Sequence, residues 1–371
     1  MKVKAAICDA YHAKLHIEDD VELIEPRARE VRVKIVSVGV CHTDMAFQND
    51  EWHLPLSLPM ILGHEGAGIV ESVGPGVTKV KPGDHVCLSV PYCGECEACR
   101  KGMLWYCEKI NTLNLSGKDY FGTNPFTWKG TPMSTCLGQG SFAEYCVQHE
   151  NNVIKIPESM DLKMAGPLGC GFRTGAGAVY NLLKPRIGEW VAVFGTGNVG
   201  LAAIWTAKAM GAKTIAVDVR DNRLEMAKEL GADYTFNSAG KDQYEIAAGI
   251  KEIADGRGVN YVAESTGVPL CNKAGMLCMK NGGLLAQIAT VNAIEFPKGY
   301  TKEVNDTKRI CFVRMGNVSA DEMIPVMIDM YQRGMFPMDK ITTFYPFEQI
   351  NQAMEDSLTG KTFKPVLYFD N

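Results

Sequence analysis

The chain carries no excess of basic residues. Its 43 acids against 38 bases leave a formal net charge of −5, too small and of the wrong sign to neutralise a nucleic-acid backbone. Nucleic acid is therefore set aside as a partner. It also has no apolar run of bilayer length. The most apolar stretch, residues 190–209, is broken by Gly195, Thr196, Gly197, Asn198 and Gly200, whereas a span needs roughly 20 apolar residues. The first ten residues show no basic and apolar leader pattern before the polar stretch 18–30, so the expected location is the cytoplasm, with no membrane partner. No internal repeat of solenoid type is present.

What the chain does have is a globular composition. Hydrophobic residues make up 46% and charged residues 22% of 371 positions, which predicts large cores and two domains or three. Thirteen cysteines are many for such a chain, and an odd number leaves one unpaired in any all-disulfide scheme. In a reducing compartment, metal binding or catalysis accounts for them better.

Two rhythms divide the sequence. Up to about residue 150, short β-branched runs at 31–38, 68–73, 84–90 and 142–147 are punctuated by Pro75-Gly76 and Pro82-Gly83, the signature of an all-β barrel or sandwich. From about Glu189, strand-like runs alternate with helical ones through 190–194, 199–210, 214–219, 221–230, 232–236, 244–254, 259–264, 269–279 and 283–288. Repeated βαβ units imply a parallel sheet with helices on both faces. The last sixty or so residues return to mixed structure and end in a strand-like 365–369. Residues 111–140 are rich in Gly, Thr, Ser and Asn without a period, and a loop of that length inside a domain is expected to be functional.

Three motifs carry chemistry. Cys93, Cys96, Cys99 and Cys107 are separated by two, two and seven residues. Four thiolates so close can wrap a tetrahedral ion, and a spacing that matches neither common ferredoxin pattern favours structural zinc over an iron–sulfur cluster. Cys41, His64 and Cys170 lie apart in sequence. A Cys, His, Cys set is the protein half of a catalytic zinc site, but a lone Cys or His is usually a packed core residue, and the residues alone make this grouping a weak signal. The third motif is Gly195-Thr196-Gly197-Asn198-Val199-Gly200, placed between a strand and a helix, with Asp218 eighteen residues beyond Gly200. Such glycines let the backbone approach a pyrophosphate at the helix N-terminus, and the acid would hydrogen-bond an adenosine ribose. A carboxylate there repels a 2′-phosphate, favouring NAD over NADP; Arg220 and Arg223 are solvated helix residues or adenosine contacts. Gly175 and Gly177 also read as GxG, but no strand precedes them, so they are assigned to helix packing.

Taken together, these residues resemble the zinc-dependent medium-chain alcohol dehydrogenases over nearly the whole chain. The most specific part is Gly63-His64-Glu65 followed by Gly68, Gly74 and Val77. Cys41-His42-Thr43-Asp44, the four-cysteine lobe and the glycine fingerprint come in the family's order. Pro167-Leu168-Gly169-Cys170-Gly171 with Thr174-Gly175-Ala176-Gly177-Ala178 looks particularly like the bacterial aryl-alcohol (benzyl alcohol) dehydrogenase branch.

The resemblance implies an α/β protein: a GroES-like β-barrel catalytic domain over 1–171 and 313–371, and an inserted Rossmann domain over 172–312, with the active site in the cleft between them. It implies NAD and two zinc ions per chain, one catalytic on Cys41, His64 and Cys170 and one structural on Cys93, Cys96, Cys99 and Cys107. Asp44 would orient His64, Glu65 would stand beside the catalytic ion or ligate it transiently, and Thr43 would take the proton of the reacting oxygen outwards. His42, Thr174, Gly195, Gly197, Asn198, Val199, Gly200, Asp218 and Arg223 would bind the dinucleotide. The substrate would be an aromatic or other hydrophobic alcohol, or its aldehyde, walled by Phe47, Trp52, Ser89 and the 111–140 segment. A homodimer or homotetramer would form through the Rossmann edge strand, near residues 283–288 and onwards. Two positions depart from the family pattern. Ala46 stands where many members carry a relay histidine, with His53 as a substitute, and Phe312 stands where relatives commonly have glycine.

Overall fold

Short antiparallel strands dominate the chain as far as Lys155. Lys2–Cys8, His16–Leu23, Phe126–Trp128, Thr131–Thr135 and Met60–Ile61 close into a small barrel. Beside it lies a seven-stranded sheet in the order Val153–Lys155, His85–Leu88, Gly66–Val73, Glu30–Gly39, Lys364–Tyr368, Thr342–Pro346, with Tyr145–His149 also paired to Glu30–Gly39. At Gly68 a Cβ would stand 1.9 Å from the Lys34 carbonyl oxygen, so only glycine lets these two strands approach. Val33, Ile35, Val38, Phe47, Phe126 and Phe142 belong to the core beneath.

The 111–140 segment is more ordered than its composition suggests. It holds most of the helix Ile110–Leu115 and the two barrel strands Phe126–Trp128 and Thr131–Thr135. These strands are three and five residues long, too short for their alternation to register in the sequence, and they turn on Lys129 and Gly130, both at positive φ.

The second half is a six-stranded parallel sheet in the order Tyr234–Asn237, Lys213–Asp218, Trp190–Phe194, Val259–Glu264, Met279–Gln287, Arg309–Phe312. Every residue of Trp190–Phe194 is buried, as expected for a strand covered on both faces. The sheet's edge on the side of Met279–Gln287 is Arg309–Phe312. The strand order reverses between Trp190–Phe194 and Val259–Glu264, and doubly wound sheets bind ligands at such a switch point, beyond the carboxyl ends of the strands.

The computed structural model describes residues 1–54, 56–291, 294–296 and 307–370. Its contacts group Met1–Cys170 with Ser319–Pro325 and Asp339–Asn371, and Gly171–Val318 with Val326–Met338. Residues 313–318 and 326–338 thus fall with the parallel-sheet unit, whereas the sequence division takes them with the barrel. The buried Phe336 is one cause: its ring lies 5.7 Å from that of Phe172 and 4.8 Å from that of Trp205. Among the described residues no helix is long and apolar enough to cross a membrane.

Candidate metal centres and dinucleotide turn

Strand Glu30–Gly39 runs into Cys41, which caps the helix His42–Gln48. Asp44, in the first turn of that helix and fully buried, organises the surroundings with both carboxylate oxygens. One accepts from the Cys41 N–H (3.1 Å); the other accepts from the Gly63 N–H and from His64 Nδ1, each at 2.9 Å. Gly63 has φ +89°, and a Cβ there would lie 2.5 Å from the Phe142 backbone nitrogen, so the approach to His64 requires glycine.

With Nδ1 committed to Asp44, the imidazole turns Nε2 towards the sulfurs of Cys41 and Cys170. That nitrogen is buried and has no hydrogen-bond partner among the described residues. The ligand atoms of Cys41, His64, Glu65 and Cys170 all lie within 4.8 Å of one another. A tetrahedral zinc with bonds of about 2.0–2.3 Å places its ligand atoms about 3.3–3.8 Å apart, so two sulfurs and an orphaned imidazole nitrogen fit such an ion.

The electrostatics fit as well. A hydrogen bond from Cys170, aided by His64, holds the Cys41 thiol well below its ordinary pKa and raises that of Cys170. Burial opposes charge on His64, yet Asp44 and the two sulfurs outweigh it and raise its pKa. This surplus of negative charge suits a cation. Burial pushes Glu65 up to about 7 against the pull of Lys364. Lys364 is itself buried, pairs with Glu65 and donates to the Val40 carbonyl (3.0 Å). Its pKa is raised: burial opposes the charge, but Glu65 and Cys41 prevail.

Lys364 and Cys136 are absent from the sequence-based site. The Cys136 sulfur lies 3.8 Å from His64 Nδ1. A basic residue opening the otherwise apolar run Pro365-Val366-Leu367-Tyr368 is the available signal for Lys364. Thr43 is half-buried and His42 exposed, both on the helix after Cys41. Phe47 is buried and meets Trp52 edge-on at 5.6 Å. The candidate substitute relay, His53, is 86% exposed and faces Asp50.

The four remaining predicted metal ligands also come together. Sulfurs of Cys93, Cys96, Cys99 and Cys107 lie within 4.8 Å of one another, and all are free thiols. Backbone N–H groups turn inward: that of Cys93 donates to Cys107 Sγ (3.3 Å) and that of Cys96 to Cys93 Sγ (3.4 Å). Backbone donors at Glu108 and Cys99 lower the Cys96 thiol to about 6, which favours the thiolate a metal needs. From outside, Tyr120 stacks on His149 at 3.8 Å and donates its hydroxyl to the Cys93 carbonyl (2.8 Å).

In the parallel-sheet unit, strand Trp190–Phe194 leads through Gly195 (φ +84°) to Gly197, the N-cap of helix Asn198–Ala209. A Cβ on Gly200 would stand 1.8 Å from the Gly195 carbonyl oxygen, whereas one on Gly197 would meet nothing within 4 Å. The turn is thus tight within and open without, the cradle a pyrophosphate needs. Asn198 and Val199 open the helix half-exposed. Asp218 ends the next strand. One oxygen accepts from the Thr196 N–H (2.9 Å) and hydroxyl (2.8 Å), the other from the Val219 and Arg220 N–H groups (2.8 and 3.1 Å). Arg223 is buried on the following helix. Thr174 lies half-buried on the helix Gly171–Gly177, in which a Cβ on Gly175 would come within 1.9 Å of the Val199 carbonyl. The second GxG is therefore helix packing.

Two family models match: the alcohol dehydrogenase GroES-like domain over residues 27–158 and the zinc-binding dehydrogenase over residues 198–333. The chain is 34% identical over 374 residues to geraniol dehydrogenase of Castellaniella defragrans, covering all of this chain and 98% of the relative. Among solved structures it resembles an alcohol dehydrogenase zinc-binding domain protein from Burkholderia ambifaria (38% identity, TM-score 0.94) and benzyl alcohol dehydrogenase from Acinetobacter calcoaceticus (38%, 0.93), each match covering 100% of both chains. The two metal-ligand sets, the glycine turn and these full-length likenesses have one reading: the chain belongs to the zinc-dependent medium-chain alcohol dehydrogenase family.

Proposed function

We propose that this chain is an NAD-linked enzyme that interconverts a hydrophobic primary alcohol, aromatic or otherwise unsaturated, and its aldehyde. The observation that carries the reading is the orphaned Nε2 of His64, held by Asp44 towards two sulfurs of a buried Cys, His, Cys set.

Zinc on Cys41, His64 and Cys170 would supply Lewis-acid polarisation of the substrate oxygen. The rest falls to the chain. Asp44 keeps the Nδ1 proton of His64 in place, so that Nε2 presents its lone pair. The Thr43 hydroxyl, one residue before Asp44, would accept the substrate's hydroxyl proton while releasing its own outwards, so that it stays neutral. Since the buried position 46 is alanine, that exit does not run through a histidine there. The glycine turn seats the pyrophosphate, and Asp218 repels the 2′-phosphate that would distinguish NADP. Trp52, set edge-on against the buried Phe47, offers an aromatic face, and the likeness to proteins named for geraniol and benzyl alcohol points the same way, since both are unsaturated primary alcohols.

A panel of alcohols read at the absorbance of the reduced cofactor tests this. Turnover of benzyl and allylic primary alcohols with NAD is expected. Turnover confined to bulky secondary cyclic alcohols would replace the substrate class, and faster turnover with NADP would refute the role given to Asp218.

A further inference from the structure

Glu264, at the carboxyl end of strand Val259–Glu264, is fully buried. It serves neither metal set nor the glycine turn. Its carboxylate accepts from the Thr266 N–H (2.7 Å), the Thr266 hydroxyl, the Gly267 N–H (3.1 Å to one oxygen) and the Gln287 side-chain amide (2.6 Å). All four donors are uncharged. The Gln287 amide is in turn fixed by the buried Asn272 (2.6 Å) and by the Ala289 carbonyl (3.0 Å). The carboxylate is thus fixed in place by neutral dipoles, and at low local dielectric the field of a carboxylate charge reaches its neighbours.

The place of that charge matters. Glu264 stands opposite Phe194 in the sheet register, the residue from which the glycine turn springs. The segment after it lies against that turn: a Cβ on Gly195 would stand 2.8 Å from Ser265 Oγ and 2.9 Å from Thr266 Cγ2, and Ser265 Oγ donates to the Phe194 carbonyl (2.8 Å). Residues 265–267 are therefore the second wall of the switch-point crevice, with Gly195–Gly200 as the first. A dinucleotide spans such a crevice. With its adenosine towards Asp218 on one side of the reversal, its nicotinamide half would run to the other side, past the strand that Glu264 ends.

The oxidised nicotinamide ring is positive and the reduced ring neutral. We propose that the buried carboxylate of Glu264 acts across residues 265–267 to favour binding of the oxidised cofactor over the reduced one. This rests on the NAD reading above. Glu264 touches no reacting atom on this account; it is a positioning and field-setting residue.

The test is the ratio of dissociation constants for NAD+ and NADH, measured by calorimetry or fluorescence without turnover, in the unmodified protein and two variants. Glu264→Gln removes the charge. Gln287→Lys leaves Glu264 intact and brings an ammonium group against it, so the inference does not depend on one variant's folding. In either folded variant the ratio Kd(NAD+)/Kd(NADH) is expected to rise about three- to tenfold, the size of one partly screened charge interaction. A purely structural role would weaken both forms equally. An unchanged ratio with both forms still bound overturns this inference alone, whereas failure of the unmodified protein to bind either form overturns the NAD reading and this inference with it.

Discussion

Asp44 shows how much one side chain can be asked to do. Its two oxygens accept from three donors, the N–H groups of Cys41 and Gly63 and the Nδ1–H of His64. An asparagine there must turn an amide nitrogen towards at least one of them. Asp44→Asn is therefore expected to weaken metal binding at this site about 10- to 100-fold and to cost about 1–3 kcal/mol of stability, read by chelator competition and by denaturant titration. The pair Glu65–Lys364 makes a second prediction at this scale. Lys364→Met removes the cation that favours the charged form of the buried Glu65 and should cost at most about 3–5 kcal/mol, while adding Glu65→Gln should restore most of it; a double variant no better than the single one would show that the cost does not come from the Glu65 charge. The two residues differ in legibility. Asp44 lies three positions from Cys41 and one helical turn away, so local sequence exposes it. Lys364 comes from the far end of the chain to Val40, and only strand pairing along Lys364–Tyr368 and Glu30–Gly39 brings it there.

The four-cysteine lobe depends on a neighbouring element. Strand Tyr145–His149 ends in an imidazole that is 4% exposed, stacked on Tyr120 and accepting the Asn151 N–H at Nδ1. Burial and the nearby Arg29 cation lower the pKa of His149 to about 4. The folded chain therefore binds this proton less readily than the unfolded one, whose histidine titrates near 6.5. The linked stability is complete above about pH 6.5, falls as the pH drops towards about 4 and is flat below, amounting to at most about 3 kcal/mol. His149→Phe keeps a ring against Tyr120 without a titrating group. The stability difference between the unmodified protein and this variant should vary with pH within that window alone; a difference constant from pH 7 to 4 would assign the histidine no such role. Nothing in the sequence near Cys93 announces His149. The central parallel strand Trp190–Phe194, by contrast, is plain: it is apolar and buried throughout because both its faces are covered, whereas the three-residue barrel strand Phe126–Trp128 lies inside a stretch that reads as loop.

At the scale of the molecule, the alternation from residue 190 to 288 makes the parallel sheet legible in the chain itself, because each strand and helix carries its own local period. The return of residues 326–338 to that unit does not show, since it depends on ring contacts of Phe336 with Phe172 and Trp205 that no local pattern encodes. The two metal-ligand sets likewise share no residue. One is a single stretch, Cys93 to Cys107, closed by four sulfurs; the other joins three distant positions and includes a nitrogen without a hydrogen-bond partner among the described residues. Their losses should therefore separate. Elemental analysis of the purified protein should give about two zinc ions per chain. Cys170→Ser should lose one and abolish turnover, yet keep the thermal midpoint within a few degrees and keep dinucleotide affinity, because its ligands sit in a framework built by strands and by Asp44. Cys93→Ser should lose the other and lower the midpoint far more, because the lobe has little apolar core of its own, with Ile110 and Leu113 as its buried hydrophobics besides the cysteines, and a structural zinc contributes folding energy outright. If Cys170→Ser instead destabilised the chain as much as Cys93→Ser, the division of labour between a site that holds the fold and a site that does chemistry would fall.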